Sequence, residues 1–170
     1  MRNKIRVGGE FFVVNTDKNG VEKWREKIGN LVPNVALQTI LDAFFPNGSG
    51  SAPTNLYIGL LGGSPTIAAG DTMSSHAGWT EVTAYSEAAR QAYNDVRSGQ
   101  TVSNSASKAT FSINANGTTI GGAFMVDNST KGGSTGLLVA GAAFTLGNKS
   151  ADSGDTITIQ YDFSAADDGA

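Results

Sequence analysis

Cysteine is absent from all 170 residues. That excludes disulfides and thiolate-held metals. Stability must then come from apolar burial, strand pairing or subunit contacts, and an intracellular assembly setting fits. Histidine is nearly absent too. His76 stands alone, which excludes the usual multi-histidine metal centre. No apolar run approaches the length of a membrane span, so no membrane partner is expected. The start, "MRNKIR" before "VGGEFFVV", is basic, but its apolar stretch is too short for a signal-peptide core, and no leader is expected. The net charge of −3 gives no reason to expect nucleic-acid binding.

What is present is β pattern punctuated by glycine. The length fits one domain, 1–170. "FFVVNTDKNGVEKW" sets Asp17, Asn19 and Gly20 between two strand patterns, which predicts an N-terminal hairpin over about 5–28 turned at Asn-Gly. In its second strand Trp24 and Ile28 share one face, with Glu26 between them. "NVALQTILDAFFPNGSG" repeats Leu37, Ile40, Leu41 and Phe44 at helical spacing and predicts one amphipathic helix near 34–45. Asn34 is its expected cap, Pro46 and Gly48 its expected stop, and a sheet the surface it should cover.

Beyond the helix the pattern is short strands: "NLYIGLL", "GWTEVTAY", "KATFSI", "TTIGGAFMV" entered from the turn "NANG", "GLLVAGAAFTL" and "DTITIQYDF". The last alternates most cleanly, with Ile157, Ile159, Tyr161 and Phe163 on one face, as a half-buried antiparallel strand requires. "GGSPTIAAGDTM" reads as loop, and the polar "SGQTVSNSASK" from Ser98 to Lys108 as surface loop or flexible arm. There is no βαβ alternation and no solenoid repeat. The expected class is mainly β, a single-domain antiparallel β-sandwich or barrel carrying one helix.

The residue types that carry chemistry gather in "SSHAGWTEVTAYSEAARQAY", Ser74 to Tyr93. Ser74 and Ser75 immediately precede His76, yet no G-x-S-x-G elbow raises a serine above a sheet, and His76 reads as a packing or surface residue. Glu81 and Glu87 with Trp24, Trp79, Tyr85 and Tyr93 have the types of a glycosidase cleft, but nothing in the spacing builds one. Aromatics in a small β protein usually pack the core. Arg90 is placed to pair with Glu87 if the stretch turns helically. "DKNG" and "DSGD" open like calcium loops but lack the remaining ligands; turn chemistry accounts for both. The paired glycines lack a phosphate-loop pattern. No catalytic residue, cofactor or metal is expected, and the chain is not expected to be an enzyme.

Charge is uneven. Arg2, Lys4, Arg6, Lys18, Lys23, Arg25 and Lys27 crowd the first 30 residues, whereas the end carries Asp162, Asp167 and Asp168. The plain reading is solvated strand faces; the sharper one is a basic end docking on an acidic partner.

Four phrases, "GNLVPNVALQTILDAFF", "YIGLL", "AAGDTMSSHAGWTEVTAYSEAARQAY" and "VSNSASKATFSINANGTTIGGAFMVDNSTKGGSTGLLVAGAAF", give the chain its resemblance to a family of small virion structural proteins of tailed bacteriophages. The resemblance spans about residues 10 to 163 and brings no functional residues with it. It implies a particle component made in the host cytoplasm. A capsid decoration or cement protein is the first expectation: a homo-oligomer, a trimer by preference, on the outer shell with the major capsid protein as partner. A tail, neck or fibre-attachment protein is the alternative, and a host-glycan binder acting through Trp79 and nearby tyrosines a more distant one. The candidate interface residues come from the residue types and not from the resemblance: Lys4, Arg6, Lys23, Trp24, Trp79, Tyr85 and Arg90, the cationic and aromatic types that anchor subunit contacts.

Overall fold

A computed structural model describes residues 4–45 and 51–167. In chain order the elements are β1 (Ile5–Thr16), β2 (Glu22–Gly29), α1 (Asn34–Phe44), β3 (Tyr57–Gly62), β4 (Thr80–Val82), β5 (Gln91–Ala92), β6 (Val96–Ser98), β7 (Thr101–Ser103), β8 (Ala109–Ser112), β9 (Thr118–Ile120), β10 (Gly122–Val126), β11 (Leu138–Ala143), β12 (Lys149–Ala151) and β13 (Thr156–Asp167). Every pairing among them is antiparallel.

One sheet runs β2-β1-β13-β7-β6, with β8 also paired to β13. Its spine is the twelve-residue ladder from Ile5↔Asp167 to Thr16↔Thr156. Period two sorts these strands as the sequence predicts. Phe11 and Val13 face inward from β1, and Ile157, Ile159 and Tyr161 from β13, all buried. The hairpin forms as expected, but only Gly20 takes a positive φ, 81°. The Asp17 carboxylate closes the loop instead, accepting from the Asn19 and Val21 backbone N–H groups at 2.8 and 2.9 Å.

The second sheet runs β11-β10-β3-β4, with β5 also on β3, and a small β12-β9 pair stands apart. Neither large sheet closes on itself, so the architecture is an open β-sandwich and the barrel option falls away. Ile58, Leu60, Ala123, Met125 and Ala140 meet the inward side chains of the first sheet in one core. β10 is buried at every position because its outer face is covered as well. There Leu61, Phe124, Val126 and Leu138 lie beneath Met73, Trp79 and Ile67, brought over by the loop before β4. Gly59 is required in this layer: a Cβ there would stand 2.3 Å from the Phe124 ring.

Two expectations change. The polar stretch 98–108 is not an arm. It turns at Gly99 (φ 59°) into β7, which pairs with both β6 and β13. Between β7 and β8 the ladder on β13 is interrupted, and the Asn104 side chain fills the gap. Its amide donates to the Ile159 carbonyl at 3.2 Å and its oxygen accepts from the Tyr161 N–H at 2.7 Å. A buried asparagine thus supplies what a strand backbone would.

The helix forms where expected, but Pro33, not Asn34, occupies the cap position, with no side-chain capping bond. The Asn34 N–H bonds instead to the Ala69 carbonyl at 2.8 Å. Pro46 and Gly48 lie outside the described residues. The apolar stripe covers a sheet only in part. Ala36 is the one buried residue of α1, which rests on β11.

Candidate assembly surface

The stretch Ser74–Tyr93 is bound up within the chain itself. Trp79 is buried against Phe124, ring centroids 5.2 Å apart, and its Nε1 donates to the Asp71 carboxylate at 3.0 Å. His76 stacks on the Trp79 ring at 3.6 Å, with Nδ1 3.1 Å from the Trp79 carbonyl oxygen. Ser74 makes its side-chain contact with Thr72, 3.2 Å away. Among the described residues no hydrogen bond joins His76 to a serine or a carboxylate, so the relay that a serine nucleophile needs is not assembled.

Arg90 pairs with Glu81, nine residues earlier, and not with Glu87. Its Nε and Nη2 meet the two Glu81 oxygens at 2.9 and 2.7 Å. Two further guanidinium hydrogens go to the carbonyls of Asn128 and Gly133, and the group lies over the Phe124 ring at 5.2 Å. Glu81 also accepts from the Gly132 N–H. One buried ion pair therefore ties β4, the segment before β5 and the 128–133 loop together. Glu87 has a different task, accepting from the Ser112 N–H.

Tyr85 points into the main core, edge-on to Phe111 at 5.0 Å, with the Lys131 ammonium 4.3 Å from its ring centroid. Burial, with the Glu81 charge adding to it, pushes its hydroxyl well above the ordinary phenol value, so it stays neutral. Tyr93 is shifted upward by burial too and donates to the Tyr161 carbonyl.

The basic end is partly neutralised from within. Lys23 Nζ sits 3.0 Å from Asp152 and 2.7 Å from Asp155, between the two acids of "DSGD". The ammonium stands where a cation would, which agrees with the turn reading of that motif. Arg25 pairs with Glu22, and Lys27 with Glu10 at 2.9 Å. Trp24 donates from Nε1 to the Ser150 carbonyl and meets Phe144 edge-on. On the same face Glu26 is buried with Lys149 3.1 Å away. Lys4 and Arg6 are exposed near the start of β1.

Of the seven suggested interface residues, the fold thus sets Lys4, Arg6, Lys23 and Trp24 on or beside the first sheet. Trp79 and Arg90 meet over Phe124 on the second, and Tyr85 lies in the core between. They do not form one surface.

A different surface stands out. Leu37, Ile40, Leu41, Phe44 and Phe45 are 37, 41, 57, 82 and 57% exposed. The groove beside them, lined by Val32, Ala36, Ile40, Pro53, Leu137 and Phe163, holds no charged residue. From Asn30 to Gly70 the only charged residue is Asp42. That long uncharged window is the sequence signal for this surface, and helical periodicity alone conceals it.

An open β-sandwich whose buried Arg90–Glu81 pair is satisfied internally, and which leaves a helix face of large apolar side chains exposed, has the build of an assembly component. The chain belongs to the protein family described as Podophage GP4 fiber I protein gp80, which it matches over residues 32–163. It is a bacteriophage virion structural protein. No curated protein matches the chain.

Proposed function

We propose that this protein is a non-enzymatic part of the fibre or fibre-attachment apparatus of the phage particle, present in several copies that contact one another and neighbouring virion proteins. The observation that carries the reading is the family match, whose fibre description spans α1, the whole second sheet and the first sheet apart from β1, β2 and the end of β13. Decoration of the outer shell, the first expectation from the sequence, has less behind it. The matching family is described as a fibre protein, and Lys23 of the basic end suggested as the docking side is already held by Asp152 and Asp155.

A scaffold role is further supported by how the reactive side chains are engaged. His76, Arg90 and Tyr85 are each tied to the chain's own core. The test is copy number per purified virion, by quantitative mass spectrometry against the major capsid protein, with antibody labelling in electron micrographs. A small fixed number of copies, labelled at the tail or its fibres, is the expected result. Shell-like stoichiometry spread over the capsid would return the decoration reading, and absence from particles would sink both.

A further inference from the structure

We propose that the exposed apolar face of α1 is the surface through which copies of this chain join, helix against helix. The setting rests on the fibre reading above, but the association is a property of the purified chain.

The face is out of balance with the rest of the molecule. An amphipathic helix normally turns its apolar face to a core. Here only Ala36 is buried, while Phe44 and Phe45 stand mostly in solvent. Two largely exposed phenyl rings with three partly exposed aliphatic chains make a patch of roughly 500 Å², at the upper end for a monomer. Two such patches face to face bury about 1,000 Å², the lower bound for a specific interface. Groove residues such as Pro53 and Phe163 would add to that.

Charge selects the occupant. The helix has no basic residue in its last turn and no acid in its first, and Asp42 is its one charge. A partner with a charged docking strip would lose hydration here and find nothing to pair with. A second copy brings the same uncharged, aromatic-rich strip, so the contact is self-complementary and closes with cyclic symmetry. Charge depletion with enriched aromatics is also the composition of an interface centre. Phe44 and Phe45, 5.5 Å apart and edge-on, form a compact aromatic end for the contact.

The test uses the full chain in sedimentation velocity and native mass spectrometry. Wild type is expected to be a defined small oligomer. Phe44→Asp and Leu41→Asp should weaken association by about thirtyfold or more, with unchanged far-ultraviolet circular dichroism. Phe44 is 82% exposed, so that variant keeps its fold and stays informative even if Leu41→Asp does not. The absence of native cysteine allows a second readout. Gln38→Cys on α1 should cross-link between chains with a short bis-maleimide, and Lys18→Cys in the β1–β2 loop should not.

A wild-type chain that stays monomeric into the hundred-micromolar range overturns the proposal. So does an oligomer that both substitutions leave intact, which would move the contact elsewhere. Mixed-subunit exchange without a Gln38→Cys cross-link argues against α1 in the same way. Loss of association with normal particle location would separate this inference from the fibre reading. Normal association with absence from the fibre would fail that reading alone.

Discussion

Two segments of similar prominence behave in opposite ways. Ser74–Tyr93 holds His76, Glu81, Arg90 and three aromatic side chains, the residue types from which sites are made. The fold turns them all inward or onto one another. α1 holds almost nothing that reacts, and the fold leaves its large apolar side chains in solvent. Polar groups are costly to bury unless matched, so a cluster whose charges are paired within one chain has little left to offer another molecule, although the buried Tyr85 hydroxyl in this stretch has no hydrogen-bond partner. Apolar surface left uncovered is the unmatched term. Residue chemistry identifies candidates; what remains unmatched after folding decides between them.

The largest effect expected from that contrast lies at Arg90. Removing the guanidinium leaves Glu81 as a buried carboxylate without a counter-charge, and frees the Asn128 and Gly133 carbonyls it had satisfied. Breaking such a pair from one side costs about 3–5 kcal/mol. Arg90→Ala should therefore lower the urea midpoint sharply at neutral pH. Replacing both partners, Arg90→Met with Glu81→Leu, should recover part of the loss because no buried charge remains. An Arg90→Ala midpoint equal to wild type would break the comparison and make this region a surface feature after all.

A smaller effect tests whether the rule extends to the basic end. The Gly117 N–H, then Lys23, hold the Asp152 carboxyl below its ordinary 3.8. For Asp155 burial pushes upward, but Lys23, the Asp152 N–H and the Asn15 amide together outweigh it, and the net shift is downward. Both folded-state values are thus depressed. The stability they contribute is present above the unfolded value near 3.8 and is lost as pH falls through the lower folded values. Lys23→Met removes a main cause of the depression, so acid unfolding should begin at a higher pH than in wild type. Circular dichroism followed from pH 6 to pH 2 reads this directly. Coincident acid transitions would show that Lys23 is not held as the geometry implies.

Much of this was legible in the sequence where period and turn chemistry agree. The hairpin, the "KATFSI" and "DTITIQYDF" strands and the helix span all follow from alternation, Asn-Gly and a 3.6 period. Three features were not. Asn104 looks like loop filler in "SNSAS", because nothing local reveals that a side-chain amide will bridge an interrupted ladder on a strand 55 residues later. Arg90 has a carboxylate three residues away that helical spacing would bring beside it, but the chain there runs through non-helical bends and its partner is Glu81, nine residues earlier. The exposure of α1 was invisible for a related reason. An amphipathic pattern states that a face will be covered and does not state whether the cover comes from the same chain.

The smallest effect expected on the isolated chain is the one that sharpens the comparison most. Phe44 contributes little to the fold of one copy, because its ring already stands in solvent. At low micromolar concentration, where association is incomplete, Phe44→Ser should unfold in urea within about 0.5 kcal/mol of wild type. Self-association adds stability by mass action, since only the folded chain presents the intact helix face. Raising the protein concentration a hundredfold should therefore raise the wild-type midpoint while leaving that of Phe44→Ser in place. Arg90→Ala should show the reverse signature, a large loss at every concentration, because its contacts lie within one copy. If the wild-type midpoint ignored concentration, the apolar face would be inert toward its own kind, and the distinction between an inward-facing polar cluster and an outward-facing assembly surface would lose its second half.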